Sequence, residues 1–300
     1  MRINWFSSSL LVFLIETALP ISAAPYVVGN RYFPPTPTTE DPFVSDEISL
    51  KVSQVRHGTT ASESAHRETE AEFGIDKRIT DDLGISIESS YKAIDYSTQS
   101  NKYGFDNVTA TLKYQFYKND DRELLLSAGI ERMTGGTGAS RIGAEDTGTT
   151  TPTFYFGKGF GDLPDGIKYL KPFAITGTVG YQFADVPAPS TPDLLTMGFS
   201  IQYSLRYMEG NVAYIGLPEW IDRIVPVIEF SYTTPTNSSS SVTTVGTVAP
   251  GFVYVGNNFD IGLEALVPAT GQPKTDVGVI AMLHVRLGGA LGQPLLSGSR

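Results

Sequence analysis

The 300-residue chain carries a net charge of −10 and no cysteine. The acidic balance excludes the basic face that a nucleic-acid binder needs to displace counterions, so no nucleic-acid partner is expected. Lack of cysteine excludes disulfide staples, thiolate metal sites and a cysteine nucleophile, leaving hydrogen bonding and packing to supply stability.

The first element in chain order is a targeting signal over residues 1–24. Arg2 gives a weakly positive start, residues 10–15 an apolar core, and Ser22-Ala23-Ala24 the small residues of a cleavage site. The apolar run falls far short of the roughly 20 residues a membrane-spanning helix needs. Arg2 and Glu16 cancel, so the mature part keeps the whole −10. Residues 25–45 form an extended segment rich in proline (Pro34, Pro35 and Pro37) with flanking threonines. It is expected to be unpaired, a linker between the signal and the folded part.

From residue 46 onward the sequence alternates with period two, the mark of strands with one apolar and one polar face. Over residues 68–79, Ala71, Phe73, Ile75 and Ile79 share one face and Glu68, Glu70, Glu72, Asp76 and Arg78 the other; Lys77 is the exception. Val108, Ala110, Leu112, Tyr114 and Phe116 alternate with Thr109, Thr111, Lys113 and Gln115. Leu195 to Tyr207 and Val277 to Leu287 continue the pattern. Twelve strands are expected, near 46–56, 68–79, 83–96, 104–116, 123–134, 151–158, 170–184, 194–208, 224–233, 244–255, 258–266 and 276–287. Many match the roughly 9 to 11 residues with which a tilted strand crosses a bilayer, against about 5 or 6 in soluble sheets. Aromatics gather near strand ends (Tyr114, Phe116 and Tyr117; Phe154, Tyr155 and Phe156; Phe230 and Tyr232), as interfacial girdles do. A soluble β-sandwich would bury such aromatics between sheets, but strand length and the breadth of the polar faces favour the membrane. Short connections (80–82, 117–122, 256–257) alternate with longer ones such as 57–67, 97–103 and 135–150, as in bacterial barrels. The fold class is therefore all-β: an antiparallel transmembrane β-barrel of about twelve strands over residues 46–287, with a tail over 288–300. The insert at 216–222 is expected as a short helix or interfacial turn. A mean hydropathy of −0.07 fits a wall of alternating faces.

Catalytic constellations are thin, and neither an enzyme nor a cofactor is expected. His57 and His66 fall in the first long loop, nine apart and without strand-partner spacing, and read as solvated loop histidines. His284 shares a face with Asp276, Ile280, Met282 and Arg286, which leaves a barrel-embedded hydrolase with a Ser-His dyad on the outer wall as a remote reading. No G-x-S-x-G elbow occurs. Gly157-Lys158-Gly159-Phe160-Gly161 and the glycines of 135–138 lack the strand-to-helix setting of a phosphate loop and read as turn chemistry.

The informative set is the polar face. Strand parity places Glu70, Glu72, Asp76, Glu88, Glu131, Glu229, Asp260 and Glu264 on one side with Arg78, Lys92, Lys113, Arg206, His284 and Arg286. If the other face meets lipid, these line the lumen. They then form either a field-based selectivity constriction or cross-barrel ion pairs that fill and stiffen a small lumen.

Three stretches resemble the MetA-pathway of phenol degradation family of outer-membrane proteins: residues 157–164 (GKGFGDLP), 169–177 (YLKPFAITG) and 250–259 (PGFVYVGNNF). The similarity extends over roughly residues 45–287. It implies a barrel that moves small, often aromatic, molecules across the outer membrane, with no catalytic residues to carry over. Where barrels of this class often end on an aromatic, here the last strand stops at Leu287 and a Gly-rich tail follows. The expected partners are outer-membrane lipid, a small-molecule solute and the barrel-assembly machinery. A non-transporting structural or surface-interaction barrel is the alternative.

Overall fold

The computed structural model describes residues 26–60, 64–236, 242–272, 274–289 and 291–296; the expected signal over 1–24 lies outside them. Twelve long antiparallel strands follow one another: β1 Glu47–His57, β2 His66–Arg78, β3 Leu83–Tyr96, β4 Val108–Asn119, β5 Leu124–Thr134, β6 Thr149–Gly159, β7 Phe173–Ala184, β8 Leu194–Tyr203, β9 Ile224–Pro235, β10 Val245–Val255, β11 Phe259–Thr270 and β12 Gly278–Arg286. Each pairs with its neighbours in sequence. β12 returns to β1, with Val279 opposite Gln54 and Arg286 opposite Glu47, so the sheet closes. Closure satisfies the backbone polar groups within the wall, which hydrocarbon requires.

Two expected strands depart most from their bounds. The run expected at 104–116 begins at Val108, while Lys102–Phe105 forms a separate short strand on the outer part of β3. The Asp106 carboxylate accepts from the Asn107 amide and breaks the run between them. The run expected at 194–208 ends at Tyr203. Ser204 accepts a hydrogen bond from the Tyr207 amide at 3.1 Å and starts helix α1, Leu205–Asn211. Leu205 and Tyr207 continue the period of two, but the serine cap overrides it. The insert before β9 contains the helical turn α2, Glu219–Asp222.

Leu50, Phe73, Ile75, Ile87, Leu112, Ile130, Phe199, Leu263 and Val279 are all exposed, on the outward face of their strands. An apolar belt around a closed barrel belongs in a lipid bilayer, and the protein is an outer-membrane barrel. No helix among the described residues is long and apolar enough to cross a membrane. Ile87, at mid-strand and 54% exposed, tests the belt: Ile87→Arg is expected to lower stability by about 2–4 kcal/mol, measured by urea unfolding in lipid vesicles. The end holding the short turns and both described termini is the periplasmic one.

Of the segment over 25–45, expected as a linker outside the fold, the described residues 26–45 instead enter the barrel and turn back within it. Val27–Val28 pairs with Arg31–Tyr32 through a turn at Gly29, whose φ of 59° suits glycine. Tyr26, Val28, Phe33 and Phe43 pack with Leu125 and Ala174 of the wall in a fully enclosed cluster. The chain then climbs to Pro37 and Thr38 and descends to Asp46. A Pro-rich segment has few polar groups of its own to pair with, so the wall supplies the partners. Gln202 donates to Pro34 O at 3.4 Å, Lys113 to Asp41 O at 3.0 Å and Ser127 to Pro42 O. Of the tail, Leu295 and Leu296 donate their amides to Arg78 O and Ile79 O at the periplasmic end of β2.

Candidate functional site

Period two turns one side of every strand inward, onto the inserted hairpin. At the periplasmic end Asp260, fully buried, accepts from the Tyr32 hydroxyl at 2.9 Å and pairs with Arg286. Arg286 also donates to Gly256 O and Asn257 O. His284 lies 2.8 Å from Glu47 and 3.2 Å from the Tyr26 hydroxyl. It is 1% exposed and faces inward, so the outer-wall setting of the hydrolase reading does not exist. A residue opposite a strand partner shares its face, and His284 stands opposite Asp260 and Ser49.

Midway up, Glu229 accepts from the Thr36 hydroxyl at 2.7 Å and the Thr38 amide at 2.8 Å, pinning the top of the hairpin. On another side Lys113 pairs with Glu40 at 2.7 Å and lies over the Tyr155 ring. Asp76 and Glu88 border the same narrow space below the hairpin top. Glu264 is 2% exposed, and neither carboxylate oxygen accepts a hydrogen bond. Its neighbour is a second acid, Glu229, and a buried polar group left unsatisfied costs about 1–3 kcal/mol. Glu264→Met is therefore expected to raise the stability of the folded barrel by about that amount, read from the urea midpoint.

The outer half carries Lys51 paired with Glu72 at 2.8 Å, and Lys92 among Asp106, Glu68 and Glu70 at 3.2, 3.8 and 3.9 Å. Glu131 stands opposite the buried Thr111 and Thr151. Arg78 binds Asp46 at 2.6 Å at the periplasmic end of the wall. Arg206, expected on a strand, sits instead in α1, half-exposed and 3.0 Å from Asp222. An outer cavity of about 330 Å³ is bordered by Glu72, Glu88, Asp106 and Glu145, and a second of about 250 Å³ reaches down to Pro37 and Thr38. A periplasmic cavity of about 310 Å³ opens between Tyr32, Arg206, Asp222 and Arg286. The hairpin lies between the outer and periplasmic spaces.

One part of the site went unnoticed in the sequence. Arg31, 1% exposed, pairs with Glu123 at 3.3 Å, donates to Pro172 O at 2.8 Å and to Lys171 O, and stacks 3.8 Å over the Tyr207 ring. Burial pushes the guanidinium below its usual value, and Glu123 and Tyr207 oppose that push. The Gly161 amide donates to Glu123 at 3.0 Å, and the Gly159 amide to the Glu123 carbonyl at 2.9 Å. The glycine-rich stretch thus has a specific use: Gly157, Gly159 and Gly161 lack the Cβ atoms that would collide with Pro42, Arg31, Glu123 and Tyr207. At Gly159 a Cβ would lie 3.0 Å from Arg31 Nε and closer still to the Glu123 carboxylate. Gly159→Ala is expected to weaken hairpin docking while leaving the barrel intact, seen as protease cleavage within 26–45 without loss of heat-modifiable gel migration.

His57 and His66 also differ from expectation. They stand opposite each other as the last rung of the β1–β2 ladder rather than in a loop. The ladder runs one residue further on β1 and two further on β2 than alternation alone marks.

No family model matches the chain, and no curated protein does. Among solved structures, the COG4313 outer membrane channel from Pseudomonas putida F1 is similar at TM-score 0.50 and 12% identity, over 80% of this chain and 95% of that one. The NanC porin (TM-score 0.48, 10% identity, 80% and 99% covered) and the KdgM porin (0.46, 12%, 81% and 99%) are weaker matches. At such identity the likeness speaks for the fold, and the fold is that of an outer-membrane β-barrel.

Proposed function

We propose that the protein is an outer-membrane channel for small solutes that favours cations, with the N-terminal hairpin as the barrier to passage. The observation that carries this reading is the pair of polar spaces, outer and periplasmic, held apart by the hairpin between Tyr26 and Ser45. The acids bordering the outer space (Glu72, Glu88, Asp106 and Glu145) exceed the nearby lysines. A low-dielectric wall focuses that field and enriches cations. Liposome swelling against solutes graded in size and charge, with small aromatics as one arm, tests passage. The reversal potential in a salt gradient tests sign, and a cation preference is expected. Anion preference would overturn the selectivity.

A second reading, a sealed barrel with a structural or surface role, draws on the complete enclosure of Tyr26, Val28 and Phe33. It requires no swelling and no conductance from the full-length barrel.

A further inference from the structure

The outer mouth holds a group that the channel reading does not use. His57 and His66 face each other across the β1–β2 ladder, with rings stacked at 4.8 Å and 23° between planes. Glu68 lies two residues beyond His66 on β2, so it shares the inward face. One ligating atom from each of the three lies within 4.8 Å of the other two. Bonds of about 2.0–2.2 Å in a tetrahedral zinc site place ligand atoms roughly 3.4 Å apart.

The histidine nitrogens are also held in place. His66 Nδ1 is 3.0 Å from Ser64 O. A carbonyl only accepts, so Nδ1 carries the proton and Nε2 presents its lone pair. His57 Nδ1 is 3.2 Å from the Thr275 hydroxyl, in the connection before β12. Outer partners of this kind fix ring orientation in histidine metal sites. The local charge is favourable as well. Three carboxylates, Glu68, Glu70 and Asp106, surround Lys92 and leave an excess of negative charge.

We propose that His57, His66 and Glu68 form a site for one borderline divalent transition-metal ion of the Zn²⁺ type at the outer mouth. Two imidazoles and a carboxylate suit such an ion. A fourth position stays open to water or an incoming donor group. Through Thr275, the ion would tie the first hairpin to the last outer connection.

The test uses the untagged mature protein in detergent micelles, titrated with ZnCl₂ by calorimetry. One saturable site per barrel is expected, lost in His57→Ala and in His66→Ala and weakened in Glu68→Gln. Thr275→Val, which keeps all three ligands, is expected to lower affinity about 10–100-fold. Cu²⁺ loading gives a second readout, because its spin-resonance spectrum counts nitrogen ligands. The chain has three histidines and His284 is 1% exposed inside the barrel, so a two-nitrogen signal points to His57 and His66. Heat-modifiable migration checks that each variant folds; if one fails, the spectrum of the intact protein and of Glu68→Gln still decides. No saturable binding, an oxygen-only Cu²⁺ spectrum, or binding that survives the double histidine variant would overturn the site.

Discussion

Deleting residues 27–44 while keeping residues 1–26 is expected to raise single-channel conductance severalfold over the full-length barrel, measured in planar bilayers. The wall does not depend on the hairpin for its backbone hydrogen bonds, since each of the twelve strands pairs with two neighbours and β12 closes onto β1. What the deletion removes is the lower filling: Val28, Phe33 and Phe43, which pack around Tyr26, and the caps on Glu229, Asp260 and Lys113. Those charges would then be hydrated in an open lumen rather than buried without partners. Barrels of about eight strands fill their interior with side chains, whereas those of 16 to 18 leave an aqueous channel. A twelve-stranded wall lies between, and here inserted chain makes the difference. The freed groups, Glu229, Asp260 and Glu264 among them, are mostly acidic, so cation preference is expected to persist as conductance rises. A folded truncation with unchanged conductance would remove the hairpin as the barrier.

The wall was largely legible in the sequence because lipid and lumen impose opposite demands at alternate residues. β3 matches its expected bounds, and most other ends differ by only a few residues. Parity also places Glu229, Asp260, Glu264, His284 and Arg286 on one face, and each of them is buried. The interior filling was not legible. Proline and threonine over 34–39 describe an exposed linker and an inserted hairpin equally well. The partners that separate the two are remote in sequence: Thr36 meets Glu229 across 193 positions, and Tyr32 meets Asp260 across 228. Arg206 was misplaced because Leu205 and Tyr207 kept the strand period past a serine cap. The His57–His66 rung was hidden because register in a hairpin depends on where the turn closes, which alternation does not specify. Glu123, the first residue of the run expected at 123–134, lies instead in the turn before β5. Its signal was indirect: Gly157, Gly159 and Gly161 remove three side chains from one face of one strand and its extension, which marks a close approach.

That close approach supports the second large prediction. Glu123→Ala is expected to destabilise hairpin docking by about 3–5 kcal/mol, the usual cost of leaving one member of a buried ion pair uncompensated. Arg31 would keep its carbonyl contacts at Pro172 and Lys171 and its place over Tyr207, but no carboxylate. At 1% exposure it has almost no water to replace one. Glu123 adopts a φ of 47°; alanine carries the same steric burden there as glutamate, so the backbone adds little to the difference. The effect is local, because both residues lie off the paired wall. Global urea unfolding is expected to change little, while protease cleavage within 26–45 and channel opening increase by about 10²- to 4 × 10³-fold. The double variant Arg31→Ala with Glu123→Ala separates charge from packing. Removing both partners leaves no stranded cation, so its hairpin is expected to resist protease better than that of Glu123→Ala alone. If the double variant is instead the more easily cleaved, contacts of Arg31 other than the ion pair hold the hairpin. The stacking on Tyr207 and the bonds to the 171–172 carbonyls would then be the anchor.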